Sequence, residues 1–274
     1  MSLSLNDRYL ELLKNVLVRA GFPDNYGRLE PWAGPRRRKL LDPLQAALHK
    51  GGLELVKAPD PRRSLDGPAK DTNGETMMGL PRLQQLHDAV RTVLAEEVPG
   101  DFLEAGVWRG GGTIFLRAAL AAYGVTDRRV WVADSFQGIP PPDAGRYPAD
   151  SGAVFHQLDY FAVPLEAVQQ NFERFGLLDD QVRFLKGWFK DTLPTAPIDS
   201  LAILRVDGDS YESTMDALQW LYPKVVPGGF VIVDDYGSVE ACRKAVTDFG
   251  ETYDLPQTFN VVDDTEQSCV WWRR

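Results

Sequence analysis

The chain has 274 residues, 44% hydrophobic and 11% aromatic, enough to build a core and too much for a disordered chain. Its 30 Lys and Arg against 39 Asp and Glu leave a formal charge of −9, which argues against nucleic acid or an anionic membrane as a partner. Cys242 and Cys269 form neither a zinc motif nor a disulfide framework and fit a reducing cytoplasm; Asp7, Arg8, Glu11 and Lys14 interrupt any signal-peptide run, and no window suggests a membrane span.

In chain order, Leu5, Leu10, Leu13, Val16 and Leu17 recur at helical spacing over 5–20, and a second short apolar-periodic stretch covers 37–49. Residues 57–76, rich in Pro, Asp, Gly and Arg, read as a long loop. A helix is expected from Leu80 to Glu97, before Pro99-Gly100. The pattern then becomes regular. Strands are expected at Phe102–Val107, Arg129–Asp134, Val182–Lys186, Leu201–Asp207 and Phe230–Asp235. Helices are expected at Thr113–Tyr123, Leu165–Phe175, Ser213–Tyr222 and Val239–Phe249. Alternating strands and helices imply an α/β fold, a parallel sheet covered on both faces. Phe259–Val262 and Ser268–Trp272 have no helix between them, so the last strand should run antiparallel in a hairpin turning at Asp263-Asp264-Thr265.

In such a sheet ligands sit outside the carboxyl ends of the strands. The first strand ends in Glu104-Ala-Gly106-Val-Trp108-Arg-Gly110-Gly111-Gly112. The spacing does not match a dinucleotide fingerprint, and a carboxylate beside a pyrophosphate is unfavourable. S-adenosylmethionine offers an ammonium group and no phosphate; equally, any tight strand–helix turn uses glycine. Asp134-Ser135 ends the next strand, placed for ribose hydroxyls or as a helix cap. Gly187 allows close approach, and Trp188 is either an adenine platform or core. Asp207, Asp209, Asp234 and Asp235 gather four carboxylates on adjacent strand ends, and something positive must balance them. An all-oxygen set favours Mg²⁺, Mn²⁺ or Ca²⁺; the competing explanation is that some cap helices or pair with arginines such as Arg205. Residues 36–39 read as a solvated basic face, His49 and His87 as structural, and Trp271-Trp272 as hairpin packing. The insertion at 136–163 is a candidate lid, with His156 a surface residue or a substrate contact.

These segments, from Leu103–Gly111 and Val130–Gly138 through Gly187–Pro194, Asp207–Ser213 and Gly228–Gly237 to the ending Trp272-Arg-Arg, resemble the macrocin O-methyltransferase (TylF) family over residues 74–274. Within it the likeness is strongest to the branch that methylates aminocoumarin deoxysugars. The resemblance implies a Rossmann-like, seven-stranded class I methyltransferase sheet over 81–274. Residues 1–80 would form a helical extension and a cofactor-covering loop. It implies S-adenosyl-L-methionine as donor, Mg²⁺ or Mn²⁺ as metal, and a sugar hydroxyl of a glycosylated natural product as acceptor. By this resemblance Asp207, Asp234 and Asp235 hold the metal and Asp209 is the general base. Thr76, Met77, Glu104, Gly106, Trp108, Asp134, Ser135, Gln137, Gly187 and Trp188 form the cofactor site, with Glu75 standing where the family usually carries histidine. The expected partners are a small-molecule glycoside and a second copy of the chain. A catechol or phenol acceptor is the nearest alternative, and an NAD-dependent oxidoreductase the more distant one.

Overall fold

The computed structural model describes residues 3–20, 22, 26–28, 35–58, 65, 73–262, 264 and 266–274. Ser4 caps the first helix, α1 (Leu5–Leu17), its hydroxyl accepting from the Asp7 amide at 3.1 Å. The periodic leucines then bury Leu10, Leu13 and Leu17. A two-residue strand, β1 (Gly27–Arg28), precedes α2 (Pro35–Lys50) and pairs antiparallel with β2 (Val56–Lys57). The side chains of Arg36, Arg37 and Arg38, and most of the loop expected at 57–76, lie outside the described residues. Pro81 sits in the first turn of α3 (Leu80–Ala95), where a missing N–H costs nothing.

The regular half follows as β3 (Asp101–Ala105), α4 (Gly111–Ala122), β4 (Val130–Asp134), α5 (Leu165–Arg174), β5 (Val182–Lys186), the four-residue α6 (Phe189–Thr192), β6 (Leu201–Val206), α7 (Tyr211–Leu221), β7 (Val225–Val233), α8 (Glu240–Gly250), β8 (Asn260–Val261) and β9 (Val270–Arg273). The seven strands are ordered β5-β4-β3-β6-β7-β9-β8. The first five run parallel, and β9 enters antiparallel between β7 and β8, so the expected final reversal is present. Of its turn, Asp264 is described and Asp263 and Thr265 are not. β7 begins five residues before Phe230, the start expected for it, because Gly228 adopts φ +84° and the register against β6 shifts between Leu201 and Ile203. The short α6 was not anticipated; four residues carry no period to read.

Alternation along the strands assigns the two faces. Phe102, Val130, Val132, Ile203 and Ile232 join one core with residues of α1, α3, α4 and α5. Leu103, Ala133, Leu204, Val231 and Val233 join the other with α7 and α8. His87, expected to be structural, is buried and bonds Tyr123 at 2.8 Å. Trp272 packs on Phe259, as expected for the hairpin, whereas Trp271 packs across to Phe230 on β7. Both cysteines are buried and free, and among the described residues no helix is long and apolar enough to cross a membrane.

Three hydrogen bonds seat the insertion over residues 136–163 on the sheet's carboxyl edge. The indole of Trp108 donates to the Tyr160 carbonyl at 2.9 Å. Asp150, only 2% exposed, accepts from the Tyr211 and Glu212 amides at 2.7 and 3.0 Å, acting as an external cap for α7. The insertion is thus docked through a buried carboxylate rather than hanging over the site. D150A strips two amides of their acceptor and should cost about 1–2 kcal/mol, read as a drop of a few degrees in Tm; an unchanged Tm would show that the cap contributes nothing.

Candidate active site

The strand tips are built from strained turns. Gly106, just beyond β3, has φ +89°, and a Cβ there would run into the Asp207 carbonyl oxygen, so only glycine lets β3 and β6 end this close together. Three larger residues, Trp108, Phe136 and Asp209, also take left-handed φ values of 49°, 57° and 55° in the turns after β3, β4 and β6. Each such residue costs of order 1 kcal/mol, and such strain concentrates at functional sites. The strained turns aim groups inward. Asp134 at the tip of β4 accepts from the Val107 amide at 2.8 Å and the Phe136 amide at 2.7 Å. Burial raises its pKa against the pull of those amides. The Ser135 hydroxyl lies 3.4 Å from Asp134 Oδ1, the oxygen that also takes the Phe136 amide. Ser135 closes the same turn, donating to the Gly138 carbonyl at 2.7 Å and accepting from the Gln137 amide at 3.0 Å.

Below these turns lies a charged layer within the sheet. Glu104 and Arg205 face each other in register on β3 and β6. Alternation puts both on the α3 face, together with Asp234 beyond β7 and Asp207 beyond β6. Arg205, 2% exposed, donates to Glu104 at 2.6 Å, to Asp207 at 2.8 Å and to Asp234 Oδ1. Arg82 of α3 donates to Asp234 Oδ2 at 2.6 Å, Asp264 at 2.5 Å and Ser268 at 2.6 Å. The two guanidinium groups hold the Asp234 pKa below its ordinary value although burial works the other way.

The carboxylates are therefore partly balanced by arginine, as the competing explanation held. Part of their charge remains. Asp207 and Asp235 crowd one another, and both pKa values are raised, by burial first and then by neighbouring carboxylates. Asp235 Oδ2 is buried with no partner, and one carboxylate oxygen each from Asp207, Asp234 and Asp235 lie within 4.8 Å of one another. An orphaned carboxylate oxygen in an all-oxygen cluster suits a hard divalent cation. Glu104 Oε2 is the second orphan. Burial pushes the Glu104 pKa up to about 8 even with Arg205 beside it, so the group lacks a second cation. The room for this carboxylate comes from Gly112, where a Cβ would collide with it.

Two adjoining cavities, of about 720 and 870 Å³, open onto these groups and share Met77, Trp108, Phe161, Asp207 and Asp209. The first takes in Gly106, Asp134, Ser135 and Trp188; the second takes in Thr76, Glu104, Asp234 and Asp235. Among the expected cofactor residues, Gln137 and Gly187 line neither. Gln137 is exposed and its amide serves the Ser135 turn, and the Gly187 amide bonds the Asp134 carbonyl at 2.9 Å. These two act on the backbone of the site rather than in its lining. His156 borders a smaller cavity behind the insertion instead. Sequence reasoning missed Arg82, the insertion's Phe155 and Phe161, and three charged residues lining the first cavity, Lys190, Glu212 and Asp216. The 212/216 spacing on α7, one helical turn, is the available signal for the last pair. Asp216 is 7% exposed, and its pKa is raised to about 6, by burial first and then by Glu212.

The macrocin-O-methyltransferase (TylF) family pattern matches residues 6–274. The chain is 47% identical over 274 residues, all of it and 95% of the relative, to an 8-demethyl-8-(2,3-dimethoxy-alpha-L-rhamnosyl)-tetracenomycin-C 4'-O-methyltransferase of Streptomyces olivaceus. It is 48% identical over 84% of its length, and 90% of the relative's, to a mycinamicin III 3''-O-methyltransferase of Micromonospora griseorubida. The solved structure of the O-methyltransferase NovP superposes with a TM-score of 0.80 at 40% identity, covering 98% of this chain and 99% of that one.

Asp216 carries a stability signature. Its folded pKa lies above its unfolded value of 3.8, so its ionised form burdens the fold fully above about pH 6, and the burden is gone below the unfolded value. D216N should melt above the wild type at pH 8, with the gap closing as pH falls from 6 to 4; a gap that does not change with pH would contradict this.

Proposed function

The chain belongs to the macrocin-O-methyltransferase (TylF) family, and we propose that it moves a methyl group from S-adenosyl-L-methionine to a sugar hydroxyl of a glycosylated, antibiotic-type natural product. One observation carries the reading at residue level. Two buried carboxylate oxygens without partners, Glu104 Oε2 and Asp235 Oδ2, belong to residues lining the same cavity. The first suits the donor's ammonium group and the second a divalent cation. Asp134 takes the ribose hydroxyls and Trp188 the base, in the cavity next door. The family supports the donor, and the rhamnosyl group in one relative's name supports a sugar over a phenol.

Asp207, Asp234 and Asp235 would hold Mg²⁺ or Mn²⁺. A bound cation of this kind supplies a lowered pKa and a fixed position to a hydroxyl oxygen. Everything else falls to the chain itself. Asp209 lies where the two cavities join and takes the proton from the acceptor hydroxyl as the C–O bond forms. Its left-handed backbone holds it there. Phe155, Phe161 and Met77 wall the cleft and exclude water. In-line placement of hydroxyl and methyl group contributes on the order of 7–11 kcal/mol when well oriented. The acceptor is read as a finished glycoside rather than a nucleotide diphosphate sugar. Among the described residues, the cations lining the second cavity are Arg82 and Arg205, both engaged by carboxylates, so a diphosphate would meet acids.

D209N should keep its affinity for S-adenosylhomocysteine and lose at least about 10²-fold in turnover of a rhamnosyl glycoside. Unchanged turnover would remove Asp209 from the chemistry. E104Q should show the opposite split: a weakening of S-adenosylhomocysteine binding by about tenfold or more, measured by calorimetry, as one charge-assisted contact is lost.

A further inference from the structure

A charged cluster lies away from the cleft, where α1 packs on α3 and α4. His87 of α3 is 1% exposed, its ring edge-on to Phe115 of α4. Its Nε2 lies 2.8 Å from the Tyr123 hydroxyl, and that hydroxyl donates to Asp7 of α1 at 2.9 Å. Tyr123 has one proton to give and Asp7 takes it, so the tyrosine oxygen accepts and Nε2 carries the hydrogen. Nδ1 is then a bare lone pair, and it is buried with no hydrogen-bond partner. The groups facing the ring are Asp7, Glu11 and Lys14 on α1, Asp88 and Arg91 on α3, and Tyr123 at the end of α4. A second proton on the ring finds the acceptors among them occupied. The Glu11 oxygen 3.9 Å from Nδ1 is the one that Lys14 holds at 2.7 Å, and Lys14, 2% exposed, also bonds Gln84. The Asp7 oxygen 3.9 Å from Nε2 is the one that Tyr123 holds. A buried imidazolium here would sit beside a buried ammonium with one N–H unsatisfied.

The far end of α1 reaches the cleft. The Leu17 carbonyl accepts the Glu75 amide at 3.0 Å, and the Glu75 carbonyl accepts the Gly111 amide at 2.9 Å. A Cβ on Gly111 would collide with that carbonyl, so the segment packs tightly on the start of α4. Thr76 and Met77, the next residues, line the cavities beside the acid layer. We propose that His87 is a proton-sensitive latch: unprotonated it docks α1 on α3 and α4, protonated it releases the helix, and through Leu17 and Glu75 the release loosens the Thr76–Met77 wall of the cleft. Burial first, and then Lys14, hold the His87 pKa below its ordinary 6.5 while α1 is docked. Undocking returns the ring to water and to that ordinary value. Above pH 6.5 neither form takes the proton, and docking is at full strength. Below it the undocked form takes a proton that the docked form resists, and the docking constant falls by up to about tenfold per pH unit.

Amide exchange of α1 and of residues 73–78 at about pH 7.5 and about pH 5.5, with exchange times scaled for the intrinsic rate, tests the latch. Between those values wild-type protection of both segments should fall by about tenfold relative to β3. H87Q, whose side-chain amide donates to Tyr123 and does not titrate, should keep its protection at the lower pH. Equal wild-type protection at both pH values, or an H87Q protein that loses protection as the wild type does, would overturn the proposal. Should H87Q fold poorly, the wild type supplies a second reading. Its 3 histidines give ring resonances assignable with H49Q and H156Q, and the His87 ring should gain its proton over the range in which α1 loses protection. A ring protonated beneath a still-protected α1 would overturn the latch. S-adenosylhomocysteine added at the lower pH should restore protection of both segments, the one arm that rests on reading the cleft as the donor site. Protection that stays low although calorimetry shows the ligand bound would overturn the link from α1 to the cleft. Failure of the wild type to bind S-adenosylhomocysteine at either pH would defeat the donor-site reading and leave the latch standing.

Discussion

One guanidinium group organises this molecule. Arg205 sits one residue from the carboxyl end of β6, among side chains that are otherwise apolar and fully buried, and joins Glu104 on one neighbouring strand to Asp234 at the tip of the other and to Asp207 at its own. A buried arginine is tolerated only where several acceptors surround it, and buried carboxylates only where a cation does. Neither side could occupy this sheet alone. With Arg82 closing the far side of Asp234, the layer makes the carboxyl edge of the sheet a fixed array of acids rather than a set of repelling tips. The array is left short of positive charge at two atoms, Glu104 Oε2 and Asp235 Oδ2, and these are the atoms a ligand could satisfy.

The same layer connects fold to site through alternation. The sheet sends even and odd positions to different cores. Glu104, Arg205 and Asp234 therefore reach the α3 face together, where Arg82 can meet them. The turns above the layer supply the second constraint. Trp108, Phe136 and Asp209 hold left-handed conformations that their side chains disfavour, and each is fixed by the ladder of strand ends, the Asp134 bonds or the docked insertion. Strain at these points is offset by the two large cores below, and it aims side chains into a cleft already formed before ligands arrive.

Much of the fold was legible in the sequence because its signals are local. Short continuous apolar runs such as Leu201–Leu204, bounded by turn residues and alternating with helical stretches, read as buried parallel strands, and the glycines after Glu104 mark a turn whatever lies beyond it. The acid cluster was legible as well, because strand ends fall at predictable places. What could not be read was how the charges pair. Arg205 was visible only as one possible partner among several, and Arg82 lies 152 residues from Asp234, a separation that no periodicity reports. Gln137 and Gly187 look like ligand residues in one dimension, but their amides are used by the backbone of the turns. Asp216 is the converse case. On a helical wheel it is one more acid on an amphipathic helix, and only the tertiary packing against α7 leaves it buried at the wall of a cavity.

The central claim is that two arginines do not finish neutralising this acid layer and that a divalent cation completes it beside the donor. Titration of Mn²⁺ into the protein saturated with S-adenosylhomocysteine, followed by electron paramagnetic resonance, tests this most directly. The account predicts one tight site per chain in the wild type, lost when Asp235 is replaced by asparagine while S-adenosylhomocysteine remains bound. A wild type that takes up no Mn²⁺, or an Asp235→Asn variant that binds it equally well, would contradict the account.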